Sequence, residues 1–112
     1  MWRKCSYLNE TQTTSQYSYT IKLIGVLATA AGTRQVSLDS ETELSLTDVI
    51  SSLLARVDNR QFKDLLVDSA TNNPLPNVIM LLDEQDCNLF QGLRTKLDSK
   101  TVVTIIPVAH GG

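Results

Sequence analysis

The sequence is poor in the residues that build self-sufficient active sites. Its 112 residues include one histidine, two cysteines and three prolines. With His110 as the only imidazole, neither a histidine-based metal cluster nor a Ser-His-Asp triad can be assembled within the chain. Cys5 and Cys87 do not make a disulfide framework and read as free thiols of a reducing compartment. Charge of one sign is lacking too: 10 basic against 12 acidic residues leave a net charge of −2. That balance gives no clustered basic footing for nucleic acid or for an anionic membrane surface. The longest apolar stretch, Leu23 to Ala31, is broken by Thr29 and falls well short of the roughly 20 residues that span a bilayer. As a secretory leader it is poorly built, because the polar segment Asn9 to Ser18 separates Arg3 and Lys4 from it and Lys22 interrupts its approach. The expectation is a cytoplasmic chain, not an enzyme, monomeric when free. It should hold no metal or cofactor and should engage neither nucleic acid nor membrane.

What is present is enough apolar material for one domain: 42% of residues are hydrophobic. Residues 1–18 are rich in Ser, Thr, Gln and Asn, without the period of a helix or a strand, and read as a flexible N-terminal tail. Trp2, Tyr7 and Leu8 are among its apolar residues, with no indicated place to dock. Residues 19–107 read as the folded domain and 108–112 as a flexible C-terminal tail.

Within the domain, Tyr19 to Leu27 reads as a strand with Tyr19, Ile21, Leu23 and Leu27 on one face and Ile24 and Val26 on the other. Residues 28–34 form a turn or loop, and Gln35 to Asp39 a second strand in a hairpin with the first. A helix follows, with Thr47 as its expected N-cap and Asp48 in the first turn. Val49, Ile50, Leu53, Leu54 and Val57 form its apolar stripe, and Phe62, Leu65 and Leu66 suggest a further helical turn. Asn77 to Leu82 reads as a strand, Asp83 to Asp86 as a polar turn, and Cys87 to Phe90 as a small edge strand. The β-branched run Thr101 to Ile106 is the strongest strand signal, stopped by Pro107. The pattern is α+β, with a mixed sheet of four to five strands and one main helix on one face. The first and last strands are the most apolar and belong side by side at its centre. That leaves Ile24, Val26 and Ile79 on a face that nothing in the chain covers, and such a patch marks a docking surface.

Two of the five glycines are the last residues, Gly111 and Gly112. At a glycine frequency of about 7% this would arise by chance in roughly one chain in two hundred. A strand that stops at Pro107 and a short extension ending without side chains suit one chemistry, activation of the terminal carboxylate. Residues 108–112 extend up to about 17 Å, enough to thread into another protein's active site. Glycine leaves no Cβ to obstruct a narrow channel or an attacking nucleophile. Gly111 and Gly112 would carry the reaction, with Pro107, Val108, Ala109 and His110 as tail contacts.

The order of elements resembles the ubiquitin-like β-grasp fold, and in detail its sulfur-carrier and ubiquitin-related modifier branch. The resemblance lies in Ile21-Lys22-Leu23 leading to Ala30-Ala31-Gly32, in Leu46-Thr47-Asp48-Val49, and in Val78-Ile79-Met80-Leu81-Leu82. It continues in Gly92-Leu93-Arg94-Thr95-Lys96-Leu97 and in Val102 through Pro107-Val108-Ala109-His110-Gly111-Gly112, covering residues 19–112. Asp83-Glu84-Gln85-Asp86 replaces the frequent Asn-Gly turn of that family, and His110 stands between Val-Ala and Gly-Gly.

The resemblance implies a carrier or modifier whose Gly112 carboxylate is adenylated by an activating enzyme with ATP and Mg²⁺. The product would be a thiocarboxylate for sulfur transfer, as in tRNA thiolation, or a conjugate with a target lysine. A second reading is the small sulfur-carrier subunit of molybdopterin synthase, its tail inserted into a large subunit. A third is a β-grasp interaction module with no activated terminus.

Overall fold

In the computed structural model, residues 17–68, 70–71, 73–75 and 77–108 are described. Eight elements follow in order: β1 (Tyr17–Leu23), α1 (Val26–Ala31), β2 (Gln35–Ser40), α2 (Leu46–Arg56), α3 (Arg60–Leu66), β3 (Val78–Leu82), β4 (Gln85–Asp86) and β5 (Val102–Pro107). Two 3₁₀ turns, Cys87–Leu89 and Gly92–Arg94, lie between β4 and β5. The strands form one sheet in the order β2-β1-β5-β3-β4. β1 and β5 pair in parallel at its centre, and every other pairing is antiparallel. The β-branched run of β5 thus sits where both its edges are bonded, as the sequence indicates.

Alternation along the strands divides the sheet into two faces. Tyr19, Ile21 and Leu23 of β1, Val36 and Leu38 of β2, Val78, Met80 and Leu82 of β3, and Val103 and Ile105 of β5 are all buried. They pack with Leu46, Val49, Ile50 and Leu53 of α2, with Leu27 of α1 and with Phe62 and Leu66 of α3. The expected α2 stripe is correct, although Leu54 and Val57 are only partly buried and Leu46 joins it unanticipated.

The first strand is shorter than the sequence suggests. β1 begins at Tyr17 and stops at Leu23, and Val26–Ala31 is a helix where a strand end and a loop were expected. Gly25 turns the chain at φ 60°, a region open to glycine, and the Ala-rich segment beyond it favours helix. Gly32, left-handed at φ 77°, closes α1 by donating its N–H to Ala28 and Thr29 carbonyls. Leu27 is buried as anticipated, but it reaches the core from a helix.

The N-cap of α2 is Ser45 and not Thr47. Ser45 Oγ accepts the Asp48 N–H at 3.2 Å while Asp48 Oδ2 accepts the Ser45 N–H at 3.0 Å, a reciprocal capping box. Thr47 instead donates its hydroxyl to the Leu93 carbonyl, tying the helix start to the second 3₁₀ turn. The bonds from Ser45, backbone first and side chain second, hold the Asp48 carboxyl below its ordinary value.

The small edge strand is Gln85–Asp86, inside the expected polar turn, whereas Cys87–Leu89 is a 3₁₀ turn. Asp83 and Glu84 alone join β3 to β4, at φ 48° and 74°. Positive φ at both central residues is the signature of a type I′ hairpin, so the pair holds the conformation for which Asn-Gly is favoured. Asp83 also accepts the Val102 N–H through its carboxylate at 2.9 Å, which fixes the turn against β5.

Candidate functional site at the base of the tail

β1 and β5 run in the same direction, so the strand that carries the C-terminal segment leaves the sheet at the end where β1 passes into α1. Pro107 is opposite Val78, the last registered pair of the β3–β5 ladder. The Val108 N–H then reaches the Asn77 carbonyl at 2.9 Å, carrying that ladder one step further. On the other side the final bond joins the Ile24 N–H to the Ile105 carbonyl. Pro107, without an N–H, therefore falls just past the β1–β5 pairing, where no donor is required. Val108 is the last residue described and is exposed. Ala109, His110, Gly111 and Gly112 lie outside the described residues.

An open groove of about 610 Å³ flanks this point, lined by Val26 of α1, Arg60, Asp64 and Leu65 of α3, and Asn77, Pro107 and Val108. Val26 is 53% exposed here. It is therefore on a helix beside the tail base, not on the strand face assigned from alternation, because β1 has already ended at Leu23.

Ile24 and Ile79 do occupy uncovered ground, at 43% and 42% exposure. Ile79 pairs with Ile106 across the β3–β5 ladder, and Ile24 is bonded alongside β5 at Ile105. The three isoleucines make a row across β1, β5 and β3 beside the point where the tail departs. The next row is Lys22, Thr104 and Leu81, and the one after it Thr20 and Val102. Apolar character thus concentrates toward the tail end. The sequence gives no sign that Arg60, Asp64, Leu65 and Asn77 share a groove or that Ile106 is the middle of the row. Ile106 is recoverable from strand register; the groove depends on how α1 and α3 meet.

Cys87 is fully buried, and burial, followed by the charge of Asp86, pushes its thiol above the ordinary range. That is the opposite of what a nucleophile needs. Among the described residues no group of three or more His, Cys, Asp or Glu is placed to hold a metal ion. No described helix is long and apolar enough to cross a membrane.

The ThiS family model matches residues 21–112, from the middle of β1 through the final glycine. The chain belongs to the ThiS family. Solved structures share the fold of this ThiS-family chain. The small archaeal modifier protein 1 of Methanosarcina acetivorans superposes with a TM-score of 0.71 at 23% identity, covering 86% of this chain and 97% of its own. Urm1 of Trypanosoma brucei gives 0.69 at 21% identity, covering 90% of this chain and 100% of its own. A Pyrococcus furiosus protein designated molybdopterin converting factor, subunit 1, gives 0.64 at 14% identity, covering 83% and 99%. A comparison with curated protein sequences gives no match.

Proposed function

We propose that this chain is a carrier whose Gly112 carboxylate is activated by a separate adenylating enzyme. A carboxylate oxygen attacks the α-phosphorus of ATP, pyrophosphate leaves with Mg²⁺, and an acyl-adenylate forms on Gly112. A sulfur nucleophile then displaces AMP, leading to a thiocarboxylate for sulfur transfer, of which tRNA thiolation is one use. Alternatively the activated end passes to a cysteine and then to a lysine of a target protein. The carrying observation is the family match, which runs through Gly111 and Gly112. The fold supports it by placing Val108 exposed at the end of the ladder, one residue past the last strand pair.

In this reading Pro107, Val108, Ala109 and His110 form the tail contacts. The isoleucine row Ile24, Ile106 and Ile79 is the docking face for the activating enzyme, with Val26 beside the departing tail. The reaction belongs to the enzyme, and ATP and Mg²⁺ are bound there in the cytoplasm, while this chain supplies a handle.

The test is intact mass after incubation with ATP, Mg²⁺, a sulfur source and an activating enzyme from the same cell. The expected product has one oxygen replaced by sulfur, or is an adduct with the enzyme, and the variant lacking Gly111 and Gly112 gives neither. No change, with an enzyme competent on another carrier, sinks the reading and leaves an interaction module. The likeness to the molybdopterin converting factor favours a second reading, as the small subunit of molybdopterin synthase. It requires a tight heteromer with a large subunit, measurable by co-purification.

A further inference from the structure

At the end of the sheet away from the tail is a hollow of about 230 Å³ whose walls include Leu82, Asp83, Phe90, Leu97 and Asp98. Leu82 and Leu97 are buried and form an apolar floor, while Phe90 is 48% exposed at its rim. Leu89 beside it is 74% exposed, so the first 3₁₀ turn presents two large apolar side chains to water. Asp83 and Asp98 place two acidic groups on the wall against one cation, Lys96, and Glu84 adjoins them. The docking face of the carrier reading lies at the other end of the sheet and makes no use of this patch.

The chain outside the structure enters the sheet beside this hollow. The Ser18 carbonyl accepts the Lys100 N–H at 2.7 Å, and the Tyr19 hydroxyl donates to the Leu97 carbonyl at 2.9 Å. Tyr17 is therefore next to the Leu97–Thr101 segment that forms one wall. Upstream, the segment carries Trp2, Tyr7 and Leu8 among its large apolar residues and Arg3 and Lys4 as its cations, against the single acid Glu10. From Leu8 to Tyr17 nine residues reach at most about 30 Å, ample for a neighbouring site. The groove at the tail end is a further strand length away, about 20 Å along β1, and reaching it leaves far less slack.

We propose that residues 1–16 dock intramolecularly in this hollow, with Trp2, Tyr7 and Leu8 against Phe90 and Leu89 and with Arg3 and Lys4 facing Asp83 and Asp98. The occupant is the chain's own N-terminal segment, held at the end opposite the tail so that docking leaves Val108 and the residues beyond it accessible.

Trp2 is the only tryptophan, so its fluorescence in the intact chain reports on this contact directly. The expected result is emission at shorter wavelength than the unfolded chain and a severalfold loss of acrylamide quenching, independent of protein concentration. Phe90→Ser and Asp98→Lys should each return Trp2 toward the emission and quenching of free indole, with far-UV circular dichroism unchanged. Asp98 is exposed, so its variant keeps the test valid if Phe90→Ser fails to fold. Amide shifts caused by Trp2→Ala in the intact chain should cluster at Leu82, Phe90 and Thr95–Asp98. Trp2 quenched as readily as free indole overturns the proposal. So do shifts that cluster at Val26, Asp64 and Asn77 instead. Burial that grows with protein concentration also overturns it, because a second copy is then the occupant.

Discussion

The two faces of the sheet are built from the same strands, one residue out of phase, and they carry different kinds of apolar residue. On the inner face Ile21, Met80, Val103 and Ile105 are removed from water by three helices. On the outer face Ile79 is 42% exposed with no described element packed over it. Met80 and Ile79 are neighbours in one strand and have opposite environments. Burial explains the first through the transfer of apolar area out of water, about 25 cal/mol for each Å². It does not explain the second, whose side chain remains wet in the isolated chain. The difference separates residues kept for stability from residues available for contact. It also assigns them different experimental signatures.

The largest effect is expected from breaking the inner face. Met80→Ala removes a fully buried side chain of β3, opposite Ile105 of β5 in the ladder. A loss of about 2–5 kcal/mol is the range for such truncations, a large share of a total of about 5–15 kcal/mol for a domain. Urea unfolding should show a lower midpoint with an unchanged slope.

A smaller effect is expected at the polar buttress of the same face. Tyr19 is buried, and its hydroxyl donates to the Leu97 carbonyl while accepting the Leu44 N–H at 3.2 Å. Burial, as the largest cause, raises its pKa, so the phenol stays neutral and able to donate across ordinary pH. Tyr19→Phe leaves a donor and an acceptor without this partner, at a cost of about 1–3 kcal/mol. Retention of full stability on thermal unfolding would show that water replaces the hydroxyl there.

Smaller again is the helix cap. Ser45→Ala should cost about 1 kcal/mol. Its pH dependence has a defined sign. The Asp48 carboxyl is held below its ordinary value in the folded chain, so its contribution is present above the unfolded pKa and is lost as pH falls through the folded one. Through the hydroxyl's share of that lowering, the stability gap between wild type and Ser45→Ala should be constant near neutrality and narrow on acidification below the ordinary aspartate range. A gap unchanged down to pH values under the folded pKa would show that the hydroxyl takes no part in holding the carboxyl, whose larger bond, from the Ser45 backbone N–H, survives in Ser45→Ala.

Most of the inner face was legible in the sequence because burial leaves a period. Strand alternation identified Tyr19, Ile21 and Leu23, and helical spacing identified Val49, Ile50 and Leu53. The β-branched run identified the central strand, and the shared apolar character of β1 and β5 identified their pairing. Errors arose where period is silent. Leu27 fits a strand face and a short helix equally well, and Gly25, which decides between them, acts through its φ angle. Ser45 and Thr47 are both capping types, but only Ser45 has an acid three residues on, Asp48, a capping-box spacing that the apolar period does not register. The groove at the tail base joins residues from α1, α3, β5 and the approach to β3, and no local pattern brings those together. The type I′ turn at Asp83-Glu84 was hidden for a different reason: Asp tolerates positive φ, but Glu84 stands where such turns favour glycine.

The smallest effect on stability, and the sharpest on contact, belongs to the outer face. Ile79→Thr keeps a β-branched side chain in β3 and changes a residue that is already half in water. Its folding free energy should move by about 0.5 kcal/mol or less, as for surface substitutions in general. If the isoleucine row docks the activating enzyme, kcat/KM for adenylation should nevertheless fall by about tenfold, a difference of about 1.4 kcal/mol in binding of the transition state. The fall should come through KM, because the tail that reacts is intact. Ile24→Thr should behave alike and combine with it less than additively, since both residues flank Ile106. Ser37→Thr, on the exposed side of edge strand β2 and two strands from the row's centre, supplies the control and should leave both quantities unchanged. Unaltered kcat/KM in the Ile24 and Ile79 variants would remove docking from this face and place recognition on the tail and its adjoining groove. A large loss of stability in either would show that the outer row is structural after all, and the division between the two faces would fail.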